Sequence, residues 1–200
     1  MDAASNVESH LPAEPAGALS GAVRRRLALL FTAGLSLLVA LAGCTSVLDV
    51  RAGGRCDAKL RWALLPFGDF GETPQAGERA EELTASLMRV RWNIHLERYP
   101  ATRESTALVD LDDRQRYEQA LQWAREQGFD YGVAGSVQEW RYRNAAEGEA
   151  AVGLSLRVVH IKTGRPDWVA SGAQSGLGPQ TVSGIAERLL GKMINKMKMQ

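Results

Sequence analysis

The feature that most constrains this chain is a short segment that ends at a cysteine. Three arginines, Arg24–Arg26, are followed by an almost unbroken apolar run, Leu27–Ala42. A basic patch, a short apolar stretch and small residues at the exit are the layout of a secretory signal. The run is shorter than the roughly 20 residues that an α-helix needs to span a bilayer. The pattern therefore predicts a segment that is removed rather than retained in a membrane.

The exit from this segment, Leu41-Ala42-Gly43-Cys44, resembles a lipobox. We expect residues 1–43 to be the signal peptide, with cleavage before Cys44 and acylation, including palmitate, of that cysteine. Acyl chains contribute about 0.8 kcal/mol per buried CH₂, so triacylation makes attachment permanent in practice. Thr45, rather than Asp, follows the cysteine, which resembles the outer-membrane sorting pattern. The alternative interpretation is a buried helix that ends in a cysteine.

Composition and apolar periodicity indicate how the rest of the chain is divided into segments. Residues 1–23 lack apolar periodicity, so they are unstructured or precede the true translation start. We predict that residues 44–60 form a lipidated tether and that residues 61–200 form one periplasmic domain. With Cys44 acylated, Cys56 has no intrachain partner; it is a free thiol in the tether or pairs with another copy. The net charge of +1 argues against nucleic acid as a partner.

Apolar periodicity predicts an α/β fold, with helices packed on a single mixed β-sheet in the order β-α-β-α-β-β-β-α. On the first helix, Ala80, Leu83, Leu87 and Val90 form the expected apolar face. The predicted strands are Arg61–Phe67, Trp92–Tyr99, Asp130–Tyr142, Val152–Ile161 and Asp167–Gly172, and the predicted helices are Ala76–Val90, Asp113–Gln127 and Gln180–Lys196.

The sequence contains no pattern typical of a catalytic site. It has no Gly-x-Ser-x-Gly elbow, no phosphate-binding Gly-x-x-x-x-Gly-Lys loop and no Gly-x-Gly-x-x-Gly turn. His95 and His160 stand alone in predicted strands, with no Cys or Asp at ligand spacing. We therefore predict a protein that is not an enzyme and holds no metal or cofactor.

Two sets of residues have a functional and a structural interpretation. Asp110, Asp112 and Asp113 lie at the start of a predicted helix, where capping and the helix dipole favour acids. Among the tryptophans, Trp168 is expected in the core, and Trp140 in the core or at a contact between subunits. Trp123 lies towards the edge of its helix's apolar face and suits an interface or a partly covered core equally.

Four motifs together resemble the PelC family, the outer-membrane lipoproteins of the Pel exopolysaccharide system. The resemblance covers about residues 60–195. The motifs are Arg61-Trp62-Ala63-Leu64-Leu65-Pro66-Phe67, Glu72-Thr73-Pro74-Gln75-Ala76-Gly77, Tyr131-Gly132-Val133-Ala134-Gly135-Ser136-Val137-Gln138-Glu139-Trp140-Arg141-Tyr142 and Val152-Gly153-Leu154-Ser155-Leu156.

The resemblance implies a fold like the N-terminal domain of TolB and a dodecameric ring beneath the outer membrane, facing the periplasm. Such a ring has an acidic opening and an aromatic belt at the bilayer. It guides a cationic polysaccharide of the biofilm matrix towards a PelB-like protein, a β-barrel export protein with a repeat domain. On this basis Asp110, Asp112 and Asp113 are candidates to face the polysaccharide, and Trp123, Trp140 and Trp168 are candidates for the membrane interface.

Two other functions compete with this interpretation. An LpoB-like lipoprotein would activate a peptidoglycan synthase, but that requires a long tether, and the expected tether here is short. A subunit of a secretion channel would need membrane-spanning hairpins of alternating apolar residues, which are not evident.

Overall fold

The computed structural model describes residues 46–52, 54–100, 109–144, 148–176 and 178–200. The predicted signal peptide and Cys44 lie outside these residues. The described chain forms one seven-stranded sheet and three helices. The strands are β1 (Ser46–Ala52), β2 (Trp62–Leu64), β3 (Gly68–Asp69), β4 (Leu96–Arg98), β5 (Tyr131–Asn144), β6 (Glu149–His160) and β7 (Arg165–Gly176), and the helices are α1 (Ala76–Trp92), α2 (Val109–Glu126) and α3 (Val182–Ile194).

The sheet is mixed. Its order is β1-β7-β6-β5-β2-β4, and β3 pairs with β5 beyond the end of β2. The β1–β7, β7–β6 and β6–β5 pairs are antiparallel, whereas β2 is parallel to both β5 and β4. The predicted fold class, a single mixed sheet with helices packed on it, is confirmed.

Helices cover both faces of the sheet. Val133 belongs to the larger apolar core, which includes residues of α1 and α3, whereas its neighbour Ala134 belongs to a smaller core with α2. Successive strand residues point to opposite faces, so the two cores lie on opposite sides. Gly135 is required where these layers meet, because a Cβ there would lie 2.5 Å from both the Phe67 ring and the Ser155 carbonyl oxygen.

The first strand is a difference from the sequence analysis. Ser46–Ala52, expected within the tether, pairs along its whole length with β7. Leu48 and Val50 pack against the larger core while Val47, Asp49 and Arg51 are exposed. A short alternation of apolar and exposed residues is enough for β1 to pack at the edge of the sheet, because its hydrogen bonds are made with one neighbouring strand, β7. Ser46–Ala52 therefore belong to the sheet and not to the predicted tether, 44–60.

The buried face of α1 also differs from the expected one. Ala80 is buried as predicted, but Val90 is 82% exposed, and Leu83 and Leu87 are only partly covered. The buried positions of the helix are instead Ala76, Gly77, Ala80, Glu81, Thr84 and Met88. A Cβ at Gly77 would lie 3.1 Å from the Phe67 carbonyl oxygen, so a residue without a side chain allows this close approach at the start of the helix.

Candidate functional site

Charged residues meet where β2 and β3 end and α1 and α2 begin. Such an edge, outside the carboxyl ends of parallel strands, is the usual ligand site of open α/β sheets. Two neighbouring cavities of about 180 and 210 Å³ open here and share Glu78 and Arg116. We call this region the acidic crevice. Its carboxylates are Asp69, Glu78, Glu81 and Asp113, and its cationic side chains are Arg98 and Arg116.

Asp113 joins α2 to this edge of the sheet. Its Oδ2 accepts a hydrogen bond of 2.9 Å from the backbone N–H of Asp69. Its Oδ1 lies 3.4 Å from Nη1 of Arg116, one turn further along the helix. A carboxylate with two donors is held in one orientation, so Asp113 positions the start of α2 as well as contributing charge.

Asp69 continues the chain of contacts towards α1. Its Oδ2 accepts from the Gly77 backbone N–H at 3.3 Å, in the first turn of the helix. Its Oδ1 is buried and has no hydrogen-bond partner among the described residues. An acid beside a helix N-terminus is electrostatically favourable, because the helix dipole is positive there. Asp69 therefore links the starts of α1 and α2.

Glu81 is a buried acid on the inner face of α1. Its Oε1 accepts from the Phe67 backbone N–H at 3.0 Å, and its Oε2 lies 3.8 Å from Nη2 of Arg98. Burial raises the pKa of Glu81 above its ordinary value, although the Phe67 N–H, Arg98 and Arg116 oppose that effect. The carboxylate fixes α1 to the end of β2 at an electrostatic cost.

The crevice has four carboxylates against two guanidinium groups. Like charges lining a recess focus the field and raise the local concentration of cations. Within the described residues, no group of three or more His, Cys, Asp or Glu side chains is placed to hold a metal ion. The arrangement is suited to attracting a diffuse cationic ligand.

The structure brings one of the three predicted acids into this crevice. Asp110 and Asp112 lie in the first turn of α2, because that helix begins at Val109 and not at the predicted Asp113. Their side chains are outside what the structure describes. Asp113 is thus not an N-terminal cap, and its contacts with Asp69 are tertiary.

Three acids of the crevice, Asp69, Glu78 and Glu81, were not predicted from the sequence. Asp69 and Glu78 carried no pattern of their own in the sequence. Glu81 was hidden by the assumed apolar face of α1. Gly77 lies one turn before Glu81, and Thr84 lies one turn after it. These small residues indicate that this side of α1 faces inward.

The candidate membrane-contacting tryptophans separate into two groups. Trp140 and Trp168 are only 3% and 2% exposed and belong to the larger core. Both therefore lie in the core, which is the structural interpretation that their sequence positions favour, and neither presents a surface to lipid in the described chain. Trp123 is partly exposed and packs against Tyr99 and Phe129, with ring centroids 5.6 and 5.1 Å apart. Its role at an interface remains a prediction.

Cys56 is a buried residue rather than a thiol in a flexible tether. Its backbone N–H donates to the Lys198 carbonyl at 3.0 Å, and its carbonyl accepts from the Gln200 N–H at 2.9 Å. These bonds attach the chain's last residues beside it. Burial and the nearby Asp167 raise the pKa of the thiol to about 11.

We expect Cys56 to resist a disulfide reagent at pH 8 in the native protein and to react fully in denaturant. The thiol lacks both access and thiolate character, and the thiolate is the reactive form. Absorbance of the released chromophore measures the reaction over time. Rapid native labelling, or a disulfide-linked dimer on a non-reducing gel, would contradict this burial.

In the part of the chain that the structure describes, no helix is both long enough and apolar enough to cross a bilayer. Neither a protein-family model nor a curated relative matches the sequence. Solved structures do match it.

Two crystal forms of PelC from Paraburkholderia phytofirmans, both dodecamers, are similar to this chain. One form is 25% identical and covers 78% of this chain and 99% of PelC, with a TM-score of 0.66. The other, a single-site variant, is 24% identical and covers 78% and 100%, with the same TM-score. The lipoprotein GNA1162 from Neisseria meningitidis is 15% identical, covers 68% of this chain and 95% of its own, and has a TM-score of 0.46, too low to support an argument. The resemblance first drawn from four sequence motifs thus extends over the whole PelC subunit, and this chain has the PelC fold.

Proposed function

We propose that this chain is a non-enzymatic outer-membrane lipoprotein, anchored through Cys44, whose copies form a periplasmic ring that assists export of a cationic, Pel-like exopolysaccharide. One observation carries the proposal. The fold agrees with PelC over essentially the complete PelC chain, and the PelC structures are dodecamers. A polymer, an outer-membrane bilayer and a PelB-like β-barrel protein with a repeat domain are the partners in this proposal.

The charge distribution supports a role that depends on electrostatics. The monomer's net charge is only +1, yet carboxylates outnumber guanidinium groups in the acidic crevice. Asp110 and Asp112 precede Asp113 in the first turn of α2. A ring repeats each local charge in every subunit, and a concentrated field of one sign raises the local concentration of a polymer of the opposite sign. Net neutrality of the subunit is compatible with this, because position rather than total charge sets the field.

The test replaces the three acids of α2 by their neutral isosteres. We expect the triple variant Asp110→Asn, Asp112→Asn and Asp113→Asn to lower polysaccharide secretion about tenfold, the lower end of the range for field focusing. The readout is secreted polymer per cell in a strain that lacks the wild-type gene and carries the variant. Mass photometry of the lipidated protein in detergent checks that assembly is unchanged.

The control variant removes the same number of charges elsewhere. Exposed acids suitable for this are Asp49, Glu118 and Glu187. Changed to the corresponding amides, they are expected to leave secretion near the wild-type level. Normal secretion by the α2 variant would remove its acids from the mechanism. Normal secretion in the gene deletion, together with altered peptidoglycan cross-linking, would replace export by the synthase-activator alternative.

A further inference from the structure

An exposed aromatic ring stands between two cavities beside the acidic crevice. Phe70 is 61% exposed, and it lines both a cavity of about 240 Å³ and a second one of about 370 Å³. We call these two cavities, which meet at Phe70, the Phe70 trough. The smaller one is also lined by Asp113, a residue of the acidic crevice, so the trough and the crevice are neighbours. Small-molecule sites occupy roughly 300–1,000 Å³, so the trough has the size of such a site.

Contacts with the backbone fix the position of the Phe70 ring. The Phe70 N–H donates to the Val137 carbonyl at 2.9 Å, which attaches this residue to β5. The ring lies against Gly68, where a Cβ would come within 2.9 Å of Cε2 of Phe70. A side chain that is already held in place loses little conformational entropy when a ligand covers it. The ring is therefore suited to act as a binding platform.

The floor of the trough is polar and carries few side chains. The hydroxyl oxygens of Ser136 and Ser155 are 2.6 Å apart, and Nε2 of Gln138 donates to Oγ of Ser136 at 2.6 Å. Each hydroxyl has two acceptor lone pairs and Gln138 also has an amide oxygen, so this row can bond to further hydroxyl groups. Residues without a side chain let a ligand approach the backbone closely; in the lining they are Gly68, Gly71, Gly135 and Gly153.

The charges around the trough balance, unlike those of the acidic crevice. Its lining contains three arginines and three acids, Arg114, Arg141, Arg157, Glu72, Asp113 and Glu139. Arg141 lies 3.2 Å from Glu72 and 3.3 Å from Glu139, and the guanidinium of Arg157 lies 4.5 Å from the centre of the Tyr117 ring. Paired charges of opposite sign leave little net field, so the trough does not select a ligand by its charge.

These features match the two sides of a sugar ring. A pyranose has a face of C–H groups, which packs on an aromatic ring, and a rim of hydroxyls, which bond to polar side chains. We propose that the Phe70 trough binds pyranose rings of a sugar polymer by stacking on Phe70, whatever charge those rings carry, while the acidic crevice beside it attracts the cationic groups. The identification of the ligand as a sugar polymer rests on the proposed function.

A peptide ligand is less suited to this surface. Extended peptides bind by adding a strand to a free sheet edge or by placing apolar side chains in pockets. The trough lies over β5 and β6, which are both inside the sheet. Among the described residues that line it, Phe70 is the one large apolar side chain that is exposed. The trough therefore has neither the free edge nor the apolar pockets that a peptide uses.

The experiment measures the binding of two uncharged oligosaccharides, N-acetylchitotetraose and cellotetraose, to the full lipidated protein. The protein is kept in a detergent without a sugar headgroup, and saturation-transfer NMR titrations give each Kd. Because neither probe carries a charge, attraction by the acidic crevice does not contribute to binding. The variants are Phe70→Ala, which removes the ring, and Phe70→Tyr, which keeps it. Val90→Ala, at an apolar side chain of α1 that is 82% exposed, is the matched control.

We expect the wild type, Phe70→Tyr and Val90→Ala to bind at least one probe with similar Kd. Phe70→Ala should bind that probe about tenfold more weakly, since it lacks the aromatic anchor. Binding of neither probe by the wild type, equal binding by Phe70→Ala, or the same loss in Phe70→Tyr as in Phe70→Ala would overturn the trough. A changed mass of the Phe70→Ala assembly in mass photometry would also overturn it, because the ring would then be covered by a second copy.

The failure of this inference can be told apart from the failure of the proposed function. If neither probe binds but the α2 acid variant lowers secretion, the trough is overturned and the export role stands. If binding depends on Phe70 while the gene deletion secretes normally, the trough is supported and the export role is overturned.

Discussion

Replacement of Trp168 by Ala is expected to lower the free energy of unfolding by about 3–5 kcal/mol, the range for truncating a buried tryptophan. Trp168 lies in β7 between Ala52 of β1 and Val158 of β6, and its side chain is fully enclosed in the larger core. For a domain of this size, such a loss lowers Tm by about 10 °C. Thermal unfolding followed by near-ultraviolet circular dichroism measures the change.

Two further variants separate packing from other contributions. Trp168→Phe keeps a ring in the core and removes an indole N–H that has no partner among the described residues, so we expect a loss below about 1.5 kcal/mol. Tyr142→Ala, at a side chain that is 47% exposed, is expected to change the free energy of unfolding by about 0.5 kcal/mol or less. If Trp168→Ala were as mild as Tyr142→Ala while membrane attachment weakened, Trp168 would be a surface residue and its assignment to the core would be wrong.

The central strands could be predicted because the apolar residues that mark them in the sequence are the residues that the fold buries. β5 and β6 bury residues on both faces, and their apolar content marked them at nearly the observed bounds. β7 is four residues longer at its carboxyl end than predicted. Ser, Gly and Gln in that extension have low strand propensity, but hydrogen bonds to β6 on one side and β1 on the other stabilise it.

The acidic crevice could not be predicted, because it forms from residues distant in the chain. Asp113 meets Asp69 across 44 positions, and Phe67 meets Glu81 only after β2, β3 and α1 are in place. Trp140 was expected in the core or at a contact between subunits, and it lies in the core. The sequence could not show the shift of register in β5 after Val137, which is part of the geometry that places Trp140 there.

A second large effect is expected at Glu81, where two substitutions should act in opposite directions. Glu81→Ala removes the acceptor of the Phe67 N–H, which is buried, and should lower the free energy of unfolding by about 1–3 kcal/mol. Glu81→Gln retains an oxygen at that position and removes the charge. Since burial raises the pKa of Glu81, the site disfavours the charged form, and the amide should be at least as stable as the wild type at neutral pH.

The pH dependence follows from the same pKa shift. A carboxyl group whose pKa is higher in the folded state binds more protons when folded, so its contribution favours folding most at low pH. As the pH rises above about 4.5, the ordinary pKa, and through the folded-state pKa, the wild type should lose stability relative to Glu81→Gln. Urea unfolding of both proteins from pH 4 to 8 gives this difference, in which other titrating groups cancel. A wild type that gained stability over the amide with rising pH would mean that the ion pair with Arg98 outweighs burial, and the electrostatic account of the crevice would have to be reversed at this residue.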